Sequence, residues 1–191
     1  MEAADAIAGR GEMTPLQKHV DFFDRNKDGL IYPSETYQGL RAIGCGIALS
    51  TAGTIFINIS LGLITRPGKM PSPLFPIYVS TIYKGKHGCD TGSYDAEGRF
   101  VPEKFEAIFE KHARTNTNVL TLKELKDMLQ ANKIPNDNAG RLAAFLEWRV
   151  LYYLCKDKDG FLSKEDVRAV YDGSVFYRLE KKRASQRKSI I

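Results

Sequence analysis

Twelve residues near the N-terminus, Asp24 to Glu35 (DRNKDGLIYPSE), carry oxygen-bearing groups at the spacing that a hard cation requires. They match D-x-[DN]-x-[DN]-G-x5-E without exception, with Asp24, Asn26 and Asp28 at alternate positions, Gly29 at the turn and Glu35 at the end. Calcium takes roughly six to eight oxygens, here from Asp24, Asn26, Asp28, the carbonyl of Leu30, a water or polar group at Tyr32 and a bidentate Glu35. Ile31 is the apolar position that normally bridges to a partner loop. A histidine, His19, stands five residues ahead of the loop.

Such loops come in pairs, and three degenerate copies follow. Ser93 to Lys104 (SYDAEGRFVPEK) keeps the turn glycine but ends in lysine, and Ala113 to Glu124 (ARTNTNVLTLKE) keeps the final glutamate. Cys155 to Asp166 (CKDKDGFLSKED) keeps the turn but begins with cysteine. Lacking the first aspartate or the bidentate carboxylate, they are poor calcium sites and serve as scaffold. The expected pairing joins Asp24–Glu35 with Ser93–Lys104, and Ala113–Glu124 with Cys155–Asp166. The chain has three histidines. His112, between Lys111 and Arg114 in sequence order, reads as a surface residue. His87 lies in the Gly-rich stretch IYKGKHGCDTGSYD, where a lone histidine is ordinarily a hydrogen-bonded surface residue. His19 and His87 nonetheless head the two units expected to pair, and imidazole is a usual ligand of haem iron.

These residues need elements to hold them. Thr14 and Pro15 mark a helix start before His19. Between Arg41 and Arg66 run 24 uncharged residues, of which 14 are strictly apolar and four are glycine. A helix of that length reaches across a bilayer core, but Thr51, Thr54, Asn58 and Thr65 fall on one stripe, which lipid would leave unpaired. The segment is therefore expected to lie in an interface, enter one leaflet, or cover an internal pocket with its polar side inward. Pro67, Pro71, Pro73 and Pro76 must end it and turn the chain. The remainder reads as helices with apolar residues three and four apart.

Six of the 28 basic residues and one of the 23 acidic ones fall in residues 178–191, leaving 22 charges of each sign elsewhere. That tail reads as a solvated end, with adhesion to anionic lipid as the sharper alternative; no aromatic interleaving suggests nucleic acid. Cys45, Cys89 and Cys155 form no C-x-x-C pair and fit a reducing compartment, and the N-terminus has no apolar signal region. The expected organisation is a lead over 1–13, a calcium-hand unit over 14–41, an apolar segment over 42–65, a proline-rich turn over 66–76, a degenerate helical region over 77–176 and a basic flexible tail over 177–191. The fold class is mainly α, built of helix-loop-helix units around an inserted membrane-associating segment.

Taken together, LQKHVDFFDRNKDGLIYPSET, PGKMPSPLFPIYV, KHGCDTGSYDAEGRF, FEKHARTNTNVLTLKEL and KDKDGFLSKEDVRAVYDGSVF resemble, in order and spacing, the caleosin family of plant peroxygenases. The resemblance implies a calcium-binding protein of lipid droplets or endoplasmic reticulum, facing the cytosol, with haem b as cofactor. It implies oxygen transfer from a fatty-acid hydroperoxide to an unsaturated fatty acid or another acceptor. The family's haem-associated histidines map onto His19 and His87, one proximal to iron and the other distal or displaceable. Its lipid-associating features map onto Ala42 to Thr65 and Pro67, Pro71, Pro73 and Pro76. Implied partners are a phospholipid surface, the fatty substrates and possible self-association. Cys89 stands where serine is common in the family, and the lead is short, as in its shorter members. The competing class is a non-enzymatic calcium-binding organiser of membrane surfaces, with no need for either histidine.

Overall fold

A computed structural model describes residues 12–68 and 72–188. Most of the expected lead, and Pro71, lie outside the described residues. The chain is mainly helical. Thr14 caps α1 (Pro15–Asp21) reciprocally: its hydroxyl accepts from the Gln17 amide at 3.2 Å, and the Gln17 side-chain oxygen accepts from the Thr14 backbone amide at 2.9 Å. The loop Asp24–Glu35 then leads through β1 (Leu30–Ile31) into α2 (Pro33–Ile43), which stops at Gly44 in the left-handed region, φ 117°. Such a φ strains any residue with a side chain.

The apolar segment forms α3 (Ile47–Thr65), long and apolar enough by length and composition to cross a membrane, yet with 22% of its span buried against the protein. It is turned inside out relative to a soluble amphipathic helix. Ser50, Thr54, Asn58, Gly62 and Thr65 face the protein, whereas Ile47, Leu49, Ile55, Ile59, Leu63 and Ile64 face outward. The polar stripe thus falls inward, one of the three placements considered for it, except that Thr51 is exposed and bonds its own helix at Ile47 O. Inside, the Asn58 amide donates to Ile31 O at 3.1 Å and to Phe75 O at 3.2 Å. Thr65 Oγ1 accepts from Tyr78 N, and Gly62 has no room for a Cβ beside the Phe75 backbone.

These bonds determine a pairing that differs from the expected one. β1 pairs antiparallel with β2 (Ile77–Tyr78), Ile31 opposite Ile77, so the calcium-type loop is partnered by the chain returning from α3 and not by Ser93–Lys104. The reason is anchorage: Asn58 holds β1 and the Ser72–Phe75 turn at once. Ser93–Lys104 closes on itself through Val101 N to Ser93 O and a Tyr94–Phe100 bridge. Pro67 and Pro73 are exposed and Pro76 is buried.

After a 3-10 segment (Val79–Gly85) come α4 (Pro102–His112), β3 (Val119–Thr121), α5 (Leu122–Ala131), α6 (Asn138–Cys155), β4 (Phe161–Ser163) and α7 (Lys164–Val170). Here the expected pair of loops does meet, with Leu120 opposite Leu162. Phe105, Phe109, Leu120, Leu125, Met128, Leu162 and Val167 close the core around it. The final element, α8 (Ser174–Lys188), corrects the reading of a flexible tail over 177–188, while 189–191 lie outside the described residues. Phe176 and Leu179 pack against Phe22, Leu40 and Ile43, while Arg25 pairs with Glu180 at 2.8 Å. Charge count hid an apolar stripe too short to stand out among so many cations.

If Asn58 secures this arrangement, Asn58→Leu keeps volume but strips the buried Ile31 O and the half-buried Phe75 O of their donor. The expected loss is about 1–3 kcal/mol in chemical denaturation; an unchanged midpoint would show that the two bonds contribute nothing.

Candidate functional site

The loop residues are organised by their own backbone. Asp24, 1% exposed, accepts from Asp28 N at 3.1 Å and Gly29 N at 2.8 Å. Asp28 Oδ1 accepts from Leu30 N, and the Asn26 amide donates to Asp28 Oδ2 at 2.9 Å. Gly29 takes φ 89°, the left-handed turn its position demands. Glu35 reaches back across the loop, Oε1 accepting from Arg25 N and Asn26 N, Oε2 from Tyr32 N. Asn26 and Asp28 are exposed, and Leu30 and Tyr32 half-buried. Burial pushes the Asp24 carboxyl up, against the opposing pull of the Gly29 amide. Among the described residues no three His, Cys, Asp or Glu side chains converge on a metal position. The donor set is nevertheless all oxygen, as a hard cation requires, and Glu35 must exchange its amide bonds to engage one.

Glu124 repeats the Glu35 geometry at the equivalent loop positions. Oε1 accepts from Arg114 N and Thr115 N, and Oε2 from the amide and hydroxyl of Thr121. Burial works to raise its pKa, but these bonds prevail and bring it to about 2. In this loop, which lacks acidic residues at its start, the carboxylate ties the two ends together while Asn116 accepts from Asn118 N and Val119 N inside it.

His19 sits in the last turn of α1. Its Nδ1 is 2.7 Å from Val170 O at the end of α7. A carbonyl only accepts, so Nδ1 carries the proton and the neutral ring keeps its lone pair on Nε2. Burial lowers its pKa and favours that neutral form. Phe176 and Tyr94 stand edge-on to the ring at 5.1 and 6.4 Å between centroids. Tyr94 in turn donates to Tyr171 O at 2.9 Å. Gly173 permits the approach of α1, since a Cβ there would collide with Lys18 O.

His87 has a different partner. Its Nε2 lies 3.6 Å from Glu147 Oε2 on α6, and its Nδ1 is buried with no hydrogen-bond partner. Glu147 raises the His87 pKa, and its charge also acts on His19. No hydrogen bond or ring contact joins the two histidines among the described residues; one carboxylate influences both. Sequence reading missed Glu147, whose sole signal was its place within an amphipathic helix. Cys89 steadies the His87 loop: Sγ accepts from Ile134 N at 3.4 Å and lies 3.5 Å from Asp137 Oδ2. Asp137 caps α6 by accepting from Gly140 N, linking that loop to the helix carrying Glu147. His112 is half-buried with a buried, unpartnered Nδ1, and so is less of a surface residue than its charged neighbours suggested.

For a haem group, the donor chemistry fits at His19, anchored through Nδ1 with Nε2 left as donor in the manner of ligating imidazoles. Two open clefts, of 450 and 310 Å³, are lined by other residues.

The low pKa of Glu124 gives a pH prediction. Its folded value lies below the ordinary 4.5, so its contribution is complete above that pH and is lost as pH falls toward about 2. Glu124→Gln should cost about 1–3 kcal/mol at neutral pH and flatten the acid limb of stability. Urea denaturation across that pH range is the check; an unaltered acid limb would refute the role.

Comparison with known proteins gives a consistent result. The family described as Caleosin related protein matches residues 11–180. "Probable peroxygenase 4" of Arabidopsis thaliana is 61% identical over 171 residues, covering 90% of this chain and 88% of that protein. "Peroxygenase" of Lilium longiflorum is 49% identical over 178 residues, covering 93% and 74%. "Probable inactive peroxygenase-like protein" of Arabidopsis thaliana is 43% identical over 148 residues, covering 78% and 71%. No solved structure matches. With the family match and these relatives each spanning most of its length, the chain belongs to the caleosin family.

Proposed function

We propose that this protein is a calcium-binding haem peroxygenase working at a lipid surface. In the balanced reaction, a fatty-acid hydroperoxide loses its terminal oxygen and leaves as an alcohol, while that oxygen bridges the double bond of an unsaturated fatty acid as an epoxide. No further oxidant or reductant is consumed. Relatives named peroxygenases support the reaction class. The observation that carries the haem assignment is the His19 Nδ1 to Val170 O bond. It commits one ring nitrogen and leaves Nε2 to hold iron, which when bound supplies the oxygen-transfer chemistry. Glu147 favours a proton on His87 Nε2, so His87 serves as the distal polar group. Phe176 and Tyr94 pack the His19 ring and limit water around it.

Calcium is assigned to Asp24, Asn26, Asp28, the Leu30 carbonyl, the Tyr32 position and Glu35. The loop continues directly from α1, so binding would brace the helix that carries His19. The outward apolar face of α3, with the exposed Pro67 and Pro73, supports contact with a lipid droplet or endoplasmic reticulum membrane from the cytosolic side. One observation favours the second reading, a non-enzymatic calcium-binding protein of such surfaces: neither cleft is lined by His19 or His87.

An optical titration with ferric haem separates the two. The wild type should develop a Soret band, His19→Ala should abolish it, and His87→Ala should retain it with altered position. A wild type with no haem uptake but intact calcium binding would establish the second reading. For calcium, Glu35→Gln should weaken affinity at least tenfold in calorimetry, since it removes the bidentate carboxylate. Glu124→Gln should leave affinity unchanged, and equal effects from both would overturn the assignment to Asp24–Glu35.

A further inference from the structure

The cleft of 310 Å³ lies where α8 crosses the end of α2. Its cations are Lys182 and Arg183, and no carboxylate lines it. Among the described residues neither cation forms an ion pair, whereas Arg178 on the same helix pairs with Glu165 and Asp166. The Arg183 Nε is buried without a hydrogen-bond partner, an expensive state for a charged group unless something supplies the acceptor. Its guanidinium lies over Gly44, where a Cβ would stand 3.0 Å from it; any side chain there would crowd the opening. The rest of the lining is Ile43, Leu154 and Leu179 with the polar Gln186 beside them, and Tyr153 is exposed at the rim.

Position narrows the ligand. Gly44 is followed by Cys45 and Gly46, and then by Ile47, the first residue of α3, which is 67% exposed. The cleft therefore opens beside the start of the outward-facing apolar helix. An aromatic rim, an apolar wall and paired cations at that level match the headgroup layer of a membrane whose chains meet α3. We propose that this cleft binds the phosphate of an anionic phospholipid. Arg183 grips the phosphate oxygens through its planar fork, Lys182 adds charge, and the apolar wall covers the glycerol and upper acyl carbons. This rests on the reading of α3 as the lipid-contacting face, and the experiment keeps the two separable.

The full chain is titrated with phosphatidylcholine vesicles, with and without a minority of phosphatidic acid, and separately with monomeric dihexanoyl phosphatidic acid and with inorganic phosphate. Neutral vesicles report on α3 alone; failure to bind them sinks that reading. The anionic increment reports on the cleft. Lys182→Gln with Arg183→Gln should reduce it by about 25-fold, roughly five-fold per residue, with neutral binding unchanged. Arg183→Lys should not restore it. Lys181→Gln with Lys188→Gln removes as much charge from α8 outside the cleft and should cost markedly less. Equal losses from the two pairs would mean diffuse attraction and would overturn the site. Inorganic phosphate binding as tightly as the soluble lipid would also overturn the lipid assignment. Thermal unfolding of each variant confirms that α8 remains folded.

Discussion

A single side-chain amide governs how the first half of this protein is put together. Asn58, at the centre of the buried polar stripe of α3, donates to Ile31 O and Phe75 O and fixes the rotational setting of the helix. Breaking that setting would leave two carbonyls and an amide unpaired away from water, a cost comparable to a sizeable fraction of a domain's stability. With the polar stripe committed inward, Ile47, Ile55 and Ile59 have nowhere to go but out. The apolar exterior is thus a consequence of the polar interior. The same bonds bring Ile77 opposite Ile31 and give the calcium-type loop its strand partner.

The two halves are stitched together around His19. Its bond to Val170 O, the Leu16 N to Gly98 O bond and the close passage of Lys18 past Gly173 join α1 to segments far along the chain. That placement gives the imidazole a defined tautomer and an aromatic surround, with the charges of Glu147 and Asp172 acting on it from outside that surround. His87 is held differently, on a loop pinned by Cys89 and facing a helix capped by Asp137. The two histidines are consequently not equivalent: one is held by a carbonyl among aromatic rings, the other faces a carboxylate.

Glu35 and Glu124 show one device put to two uses. Each closes its loop by accepting amides from the same relative positions. Around Glu35, Asp24, Asn26 and Asp28 add oxygens that a cation can share. Around Glu124 the corresponding residues are Ala113, Thr115 and Thr117, and the carboxylate closes the loop without such oxygens beside it. Degeneracy of the motif here retained the fold while dropping the ligand set.

By itself the sequence determined whatever depends on local spacing: the loop pattern at Asp24–Glu35, the start of α1 at Thr14, the polar stripe of α3, the helical character of the second half and the Leu120–Leu162 pairing of matching loops. These follow from backbone periodicity and from the residue types that turns and caps require. The partner of β1, the helix hidden in the basic end, the role of Glu147 and the cleft beside Gly44 were decided only by tertiary structure. Each depends on contacts between residues tens to more than a hundred positions apart, where neither charge count nor motif register says which surfaces will meet. Ile31 could have bridged to either of two following segments, and the buried amide of Asn58 made the choice.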